Sequence, residues 1–142
     1  VARRQISLDM GPAMMAAMRG GRRGMGGMGM GMGPPVGING QVFDMARIDF
    51  QPQLGSTEIW EVSPSMMAHP FHVHGVIFRV LSVDGKPPAA HLAGGKDTIL
   101  LDAPAELLMH FTRPATNETP FMFHCHILEH EDAGMMGQYA TV

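Results

Sequence analysis

Near its end the chain brings imidazole, thiol and thioether side chains together in one run of thirteen residues, His124-Cys125-His126-Ile127-Leu128-Glu129-His130-Glu131-Asp132-Ala133-Gly134-Met135-Met136. Cys125 is the only cysteine of the protein, and a histidine stands on each side of it. His130 follows the cysteine by five residues and Met135 follows it by ten. Two histidines, one cysteine and a weak axial methionine are the ligands of a blue-copper electron-transfer site. The run therefore predicts a copper site at Cys125.

The flanking histidines predict a second metal site beside the first. If residues 121–126 are extended, side chains alternate between faces, so His124 and His126 point one way and Cys125 the other. A metal on the sulfur is then joined through a few covalent bonds to metals on the neighbouring imidazoles. A lone cysteine is more often a small buried hydrophobe, and zinc competes for the same ligands. Structural zinc favours several cysteines, so we favour copper.

The stretch His69-Pro70-Phe71-His72-Val73-His74-Gly75 repeats this arrangement. His72 and His74 share a face if the stretch is extended, and His69 faces the other way. Pro70 restricts His69 to extended geometry, which helps to hold its imidazole in place. Taken alone, this spacing also suits zinc. Together with the run at Cys125 it favours copper.

Length and composition limit the function classes. A chain of 142 residues makes one domain with a sizeable core. A net charge of −3 gives no reason to expect a nucleic-acid partner. No apolar run has the length of a membrane span, and one cysteine excludes an internal disulfide. The chain begins at Val1 without a signal peptide, and we expect it to be the tail of a longer protein.

A methionine- and glycine-rich segment interrupts the chain early. Eight methionines lie between Met10 and Met32, and eight glycines between Gly20 and Gly33. Glycine loses much backbone entropy on ordering and nothing here compensates, so we predict a mobile insertion at residues 13–35. A plain flexible linker is one interpretation. The alternative, which we favour, is a surface for soft metal, because thioethers select Cu(I).

The remaining pattern predicts an all-β protein. Short alternating runs separated by turns, without a long helix, indicate a β-sandwich or barrel. We expect a turn leading into a short strand at residues 38–43, and single helical turns at residues 92–96 and 127–132. The predicted strands are residues 3–8, 58–62, 76–83, 98–101, 106–111, 121–126 and 137–142.

At these motifs the sequence resembles the multicopper oxidases, specifically their C-terminal cupredoxin domain, and most of all the bacterial copper-efflux (cuprous) oxidases. The methionine-rich insertion adds to this resemblance. It implies a Greek-key cupredoxin sandwich over residues 1–142, with residues 13–35 as the insertion and residues 38–142 as the main sandwich. The residues that carry it are Ile38-Asn39-Gly40, His69–Gly75, Gly85-Lys86-Pro87-Pro88-Ala89-Ala90-His91, Lys96-Asp97-Thr98 and His124–Met136.

The resemblance also implies roles for individual residues. A type 1 copper is held by His69, Cys125, His130 and Met135. His72 serves the type 2 copper of a trinuclear cluster, and His74, His124 and His126 serve its type 3 pair. Cys125 passes electrons to the cluster, where O2 is reduced to water. By the resemblance Glu131 feeds protons toward the cluster, whereas the residues alone favour an exposed loop charge.

The substrate site departs from the family pattern. Met67 is retained as a ligand for substrate copper, but Ser65 stands where the cuprous oxidases have an Asp. Asp9 and Met10 are candidates to replace the missing ligands. We expect His91 and His110 to be structural. Asp97 is either an exposed surface charge or a hydrogen-bond acceptor for a ligand imidazole, since metal-bound histidine usually donates its free N–H to an oxygen.

The resemblance implies partners that this chain lacks. The family's trinuclear cluster takes eight imidazoles and the chain offers four, so N-terminal cupredoxin domains, cleaved or on a separate chain, supply the rest. The reductant is Cu(I) or a small organic molecule, the oxidant is O2, and the location is the periplasm. Two alternatives stay open, a laccase-type oxidase of phenols and a non-catalytic module for copper storage or electron transfer.

Overall fold

The computed structural model describes residues 1–10, 36–65, 68–126 and 134–142. These residues form nine β-strands and no α-helix. Among them, no helix is long and apolar enough to cross a membrane. The strands are β1 (Ala2–Met10), β2 (Val36–Ile38), β3 (Thr57–Pro64), β4 (His69–Val73), β5 (Phe78–Val83), β6 (Thr98–Leu101), β7 (Ala105–His110), β8 (Phe121–Cys125) and β9 (Met136–Tyr139).

Two sheets make the sandwich. The first has the order β2-β1-β3-β7-β5 and the second has the order β6-β4-β8-β9. β1 runs parallel to β3, whereas the other paired strands are antiparallel. Strands distant in sequence are therefore neighbours in both sheets. The predicted all-β cupredoxin sandwich is confirmed.

Alternating burial explains why these segments form strands with one face on the core. In β3, Glu58, Trp60 and Val62 are buried, while the residues between them are partly exposed. Period-two burial of this kind is what a sheet covered on one face requires. The predicted shared face of Trp60 and Val62 is confirmed, and both are fully buried.

Trp60 lies at the centre of the space between the sheets. Its ring centroid is 5.6 Å from that of Phe50, 5.4 Å from that of Phe123 and 6.1 Å from that of Tyr139, all three in edge-on contact. Edge-on packing suits the aromatic quadrupole and adds to the large area that these rings bury. Because Phe123 belongs to β8, this aromatic group braces the strand that carries Cys125.

Several predicted boundaries were wrong. At residues 38–43 the strand comes first and the turn follows, because Asn39 and Gly40 have positive φ angles of 52° and 76°. The strand expected from residue 76 begins at Phe78. The helical turn expected at residues 92–96 is a single 3₁₀ turn at Ala90–Leu92. The turn expected at residues 127–132 lies outside the described residues.

β1 is fixed to the sandwich by a partly buried ion pair. The guanidinium of Arg4 donates two hydrogen bonds to the carboxylate of Glu58, at 2.6 and 2.9 Å. Glu58 is 3% exposed and also accepts a hydrogen bond from the indole N–H of Trp60 at 3.0 Å. Arg4 lies 5.1 Å from the ring centroid of Phe50 as well. Residues 3–8, which alternate only weakly in sequence, thus belong to a full strand because of their contacts with β3.

Arg4→Met leaves the carboxylate of Glu58 buried without its cation. Because Arg4 itself keeps some solvent contact, we expect the variant to lose about 2–3 kcal/mol of unfolding free energy, below the usual range for a fully buried pair. Chemical denaturation measures this loss. Arg79→Met, at an exposed arginine on β5, is the matched control. Equal stability of the two variants would contradict the role given to Arg4.

Candidate metal centre

The pairing of β4 with β8 places the predicted ligands. Phe71 pairs with Cys125, and His72 pairs with His124. Because side chains alternate along each strand, Phe71 and Cys125 face the core together, while His72 and His124 face the other side of the sheet. The register therefore builds two groups of ligands, an inner group and an outer group, back to back on one pair of strands.

The inner group consists of His69, Cys125 and Met135, all fully buried. Nδ1 of His69 lies 3.5 Å from Sγ of Cys125. A tetrahedral metal about 2.3 Å from sulfur and about 2.0 Å from nitrogen would hold these two atoms about 3.5 Å apart. The amide of Cys125 donates a 3.1 Å hydrogen bond to the carbonyl of Met135, which fixes the methionine beside the cysteine strand.

The ring of His69 is oriented for metal binding through Nδ1. Its Nε2–H donates to the main-chain carbonyl of Ser65 at 3.0 Å, which leaves Nδ1 facing the cysteine sulfur. Burial lowers the pKa of His69, and the hydrogen bond to Ser65 opposes that shift only in part. The neutral imidazole, which is the form that binds metal, is therefore favoured.

The outer group consists of His72, His74, His124 and His126. Ligand nitrogens of the first three all lie within 4.8 Å of one another. Nε2 of His74 and Nε2 of His124 are 3.2 Å apart. Two nitrogens on one tetrahedral metal would be about 3.3 Å apart. His126 joins the group through ring contacts. Its ring centroid lies 5.2 Å from that of His124 and 5.6 Å from that of His72.

The main chain orients His72. Its Nδ1 lies 2.9 Å from the carbonyl oxygen of Asp97 and 2.8 Å from the hydroxyl of Thr98, so Nε2 remains for a metal. The expectation for Asp97 is corrected in one respect. The carboxylate is 4.0 Å from Nδ1 and largely exposed, and the main-chain oxygen makes the contact instead. The carboxylate accepts a hydrogen bond from Thr98.

Tyr139 positions His74, a role that no motif in the sequence predicted. The buried hydroxyl of Tyr139 donates a 2.5 Å hydrogen bond to the carbonyl oxygen of His74. Burial strongly raises the pKa of Tyr139, so the phenol stays protonated and keeps donating. His74 also donates its amide to the carbonyl of Met122 at 2.8 Å. His74 is thereby held just after the end of β4.

The other candidates fall into two sets. His130, Glu131 and Met67 lie outside the described residues. His110 is exposed on β7, with Nδ1 near Thr57 and Ser56, and His91 is exposed in the 3₁₀ turn. His110 also lines, with His72 and His74, a cleft of about 610 Å³ beside the outer group. Neither His91 nor His110 belongs to the described ligand groups.

Comparison with known proteins gives a consistent result. The profile of the family described as multicopper oxidase matches residues 10–142. The multicopper oxidase mco of Staphylococcus aureus is 49% identical over 115 residues, which are 76% of this chain and 25% of that protein. The cell division protein FtsP of Pectobacterium atrosepticum is 42% identical over 102 residues, covering 72% of this chain and 21% of that protein.

Solved structures agree. The laccase-like multicopper oxidase CueO of Ochrobactrum sp. superposes with a TM-score of 0.82 and 47% identity, over 100% of this chain and 31% of that one. The multicopper oxidase of Campylobacter jejuni, described as a metallo-oxidase, gives a TM-score of 0.77 at 32% identity, over 99% of this chain and 30% of that one.

The two-sheet fold and the paired ligand groups define a cupredoxin domain. The chain belongs to the multicopper oxidase family. It spans about a quarter of the length of the curated relatives it matches.

Copper, the metal that the family implies, fits the described residues. The inner group offers a nitrogen and a sulfur at a separation suited to one metal, with Met135 buried beside them. This soft donor set suits copper. In the outer group, hydrogen bonds to Nδ1 fix the ring of His72, and ligand nitrogens of His72, His74 and His124 converge on one another.

If Cys125 is a copper ligand, the copper-loaded full-length protein should be intensely blue and Cys125→Ser should abolish the colour. The colour comes from charge transfer between thiolate and copper, and serine cannot supply it, while a hydroxyl of similar size leaves the fold largely intact. Visible absorption measures the colour and circular dichroism checks the fold. A blue band that survives in the folded variant would contradict the assignment of Cys125 as a ligand.

Proposed function

We propose that this chain is the C-terminal part of an oxidase that takes single electrons from its substrate at a type 1 copper and reduces O2 to water at a trinuclear centre. Copper, when bound, supplies this one-electron chemistry. His69, Cys125, His130 and Met135 form the type 1 set in the proposal. The observation that carries it is the placement of His69 beside the sulfur of Cys125, directly behind the outer histidines.

Cys125 connects the two groups. Its side chain lies in the inner group, and its main chain continues on both sides into His124 and His126. A hydrogen bond gives a second connection, since Nδ1 of His124 lies 3.1 Å from the carbonyl oxygen of Cys125. Electrons therefore have a short route, covalent and hydrogen-bonded, from the buried site to the outer one. Glu131 is proposed to feed protons to the outer site.

The relatives show why the ligands, and not the fold, carry this proposal. One relative is named for cell division and others are named as oxidases, so the fold alone does not decide the activity. A module for copper storage or electron transfer needs the inner group only. Four outer imidazoles, three of them with converging nitrogens, favour the oxidase.

His126→Ala in the full-length protein separates the two sites. His126 is exposed and belongs to the outer group, so its loss should abolish reductant-driven O2 consumption while the blue band remains. An oxygen electrode and visible absorption measure the two properties. His91→Ala, at an exposed histidine outside both groups, is the matched control. Full O2 consumption by His126→Ala would contradict an oxygen-reducing role for the outer group.

The proposal also requires a companion domain. The family's trinuclear cluster takes eight imidazoles, and the outer group contains four, which are His72, His74, His124 and His126. We propose that N-terminal cupredoxin domains of the same oxidase pack against this face and supply the others. The largely exposed Leu100, on the neighbouring strand β6, lies opposite Pro70 in the pairing and adds apolar surface there.

The isolated 142 residues, loaded with copper, should show at most a reducible blue copper and no catalytic O2 consumption. Half of the imidazole ligands are missing, so the cluster cannot assemble. Metal content and O2 uptake are the measurements, with the full-length protein as the positive control. Sustained turnover by the isolated chain would contradict the two-part arrangement.

We further propose Cu(I) as substrate, with a role in copper detoxification in the periplasm. Two candidate ligands for substrate copper, Asp9 and Met10, already have structural contacts in the fold. The carboxylate of Asp9 accepts hydrogen bonds from Gly40 at 2.7 Å and Ser7 at 2.8 Å, and Met10 is buried in the core. Ser65 uses its hydroxyl to hold Leu8 and Met10 of β1. Support for Cu(I) therefore comes from the thioethers of residues 13–35, with Met67 as a further ligand.

Oxidation of phenols is the second candidate substrate chemistry. The Ochrobactrum enzyme, 47% identical to this chain, is described as having oxidase activity towards lignin model compounds and lignosulfonate. Both candidates use the same inner site and differ in what delivers the electron. The methionine-rich segment is the sequence feature that distinguishes them.

Deleting residues 13–35 should lower Cu(I) oxidation several-fold and leave the oxidation of small organic reductants unchanged or faster. The deletion suits the fold, because Met10 and Val36 are register partners and Gly11-Pro12 would connect them as a two-residue hairpin turn. Steady-state rates with both reductants are the measurement. Replacing the seven methionines within residues 13–35 by leucine is the matched control for thioether loss at constant length.

Leucine replacements should reproduce the loss of Cu(I) oxidation without a gain with organic reductants. Equal loss of both activities in the deletion variant would contradict a role in substrate selection.

A further inference from the structure

The segment of residues 42–49 is attached to β9 mainly through side-chain hydrogen bonds. It contains a turn and no strand. Nε2 of Gln138, on β9, lies 3.1 Å from the carbonyl oxygens of Met45 and Arg47 and 3.5 Å from that of Asp44. Gln138 is 7% exposed. The buried side-chain amide of Gln138 therefore attaches this segment to β9, in place of the backbone hydrogen bonds that join paired strands elsewhere in the sandwich.

Asp49 and Arg47 complete this attachment. The carboxylate of Asp49 accepts a hydrogen bond from the main-chain N–H of Gln138 at 2.9 Å and another from the Nε–H of Arg47 at 2.7 Å. The amide of Asp49 donates to the carbonyl of Gln138 at 2.8 Å. Arg47 also donates to the carbonyl of Val42 at 2.9 Å. Gln138, Asp49 and Arg47 are called the β9 clamp below.

The clamped segment in turn holds the residue before Met135. The amide of Phe43 donates a 2.9 Å hydrogen bond to the carbonyl of Gly134. Gly134 has a φ of +108°, and a Cβ there would lie 2.0 Å from a methyl carbon of Val42. Only glycine permits this close approach. On its other side, the carbonyl of Met135 accepts the amide N–H of Cys125. Residues 134 and 135 are therefore fixed between the clamped segment and β8.

We propose that the β9 clamp is the positioning device for Met135, and that it sets how closely the methionine sulfur approaches the type 1 copper. This proposal rests on the proposed function, in which Met135 is the axial ligand. Gln138, Asp49 and Arg47 touch neither metal nor substrate. They act by holding residues 42–49 against β9, and residues 42–49 hold Gly134.

The expected consequence is a change in reduction potential. The axial ligand tunes the potential of a type 1 site. When the clamp is loosened, the thioether donates less to the oxidised metal, the oxidised state is less stabilised, and the potential rises. Met135→Leu removes the thioether altogether and provides the upper benchmark for this rise.

Gln138→Met in the full-length, copper-loaded protein tests the proposal. Methionine keeps the length of the side chain and removes its N–H donors. We expect the equilibrium constant for electron exchange with a reference redox couple to shift in the direction of Met135→Leu by up to about tenfold, which is 59 mV for one electron. Arg47→Met should shift it in the same direction by less. Gln51→Met, at an exposed glutamine whose contact with Asn117 is 3.4 Å, is the matched control and should not shift it.

A second measurement uses the copper-free protein. Hydrogen exchange of the amides of Phe43 and Cys125 reports on the bonds to Gly134 and Met135. Both amides should exchange several-fold faster in Gln138→Met and at the normal rate in Gln51→Met. Faster exchange together with the shifted potential supports the proposal.

An unchanged potential in folded Gln138→Met would overturn the proposal, even if exchange is faster, because the clamp would then be merely structural. If Gln138→Met does not fold, Arg47→Met decides by the same criterion. An unchanged potential in Met135→Leu would also overturn it. Failure of the proposed function would give a different result, because the blue band would then survive in Cys125→Ser.

Discussion

The antiparallel pairing of β4 with β8 is the constraint on which both groups of ligands depend. It sets Phe71 opposite Cys125 on the core face of the sheet. The next pair along the strands, His72 and His124, lies on the outer face. A slip of either strand by one residue would move the ligands on that strand to the wrong side of the sheet. Aromatic packing of Phe123 against Trp60 and Phe71 makes such a slip costly, because it would expose a fully buried ring.

The two faces give the two groups different surroundings. His69, Cys125 and Met135 are enclosed by the apolar core, where an uncharged imidazole is favoured and water is excluded. His74 and His126 are exposed on the other face, where another domain has access. An enclosed ligand group on one side of the sheet and an open group of imidazoles on the other is the arrangement that the proposed electron transfer to a centre shared with a neighbour requires.

The sequence predicted features that depend on local alternation. The opposite orientation of Cys125 and its flanking histidines follows from a period of two, and so does the shared face of Trp60 and Val62. Contacts between distant segments could not be predicted in this way. The parallel pairing of β1 with β3, the carbonyl of Ser65 against His69, and the hydroxyl of Tyr139 against the main chain of His74 leave no periodic trace in the sequence.

X-ray diffraction from crystals of the copper-loaded full-length protein, recorded on both sides of the copper absorption edge, tests the central claim most directly. One anomalous peak should lie within bonding distance of Nδ1 of His69 and Sγ of Cys125. Separate peaks should lie against the outer imidazoles of His72, His74, His124 and His126. A copper that binds the outer histidines while Cys125 and His69 remain without metal would contradict the claim that one pair of strands builds two copper sites.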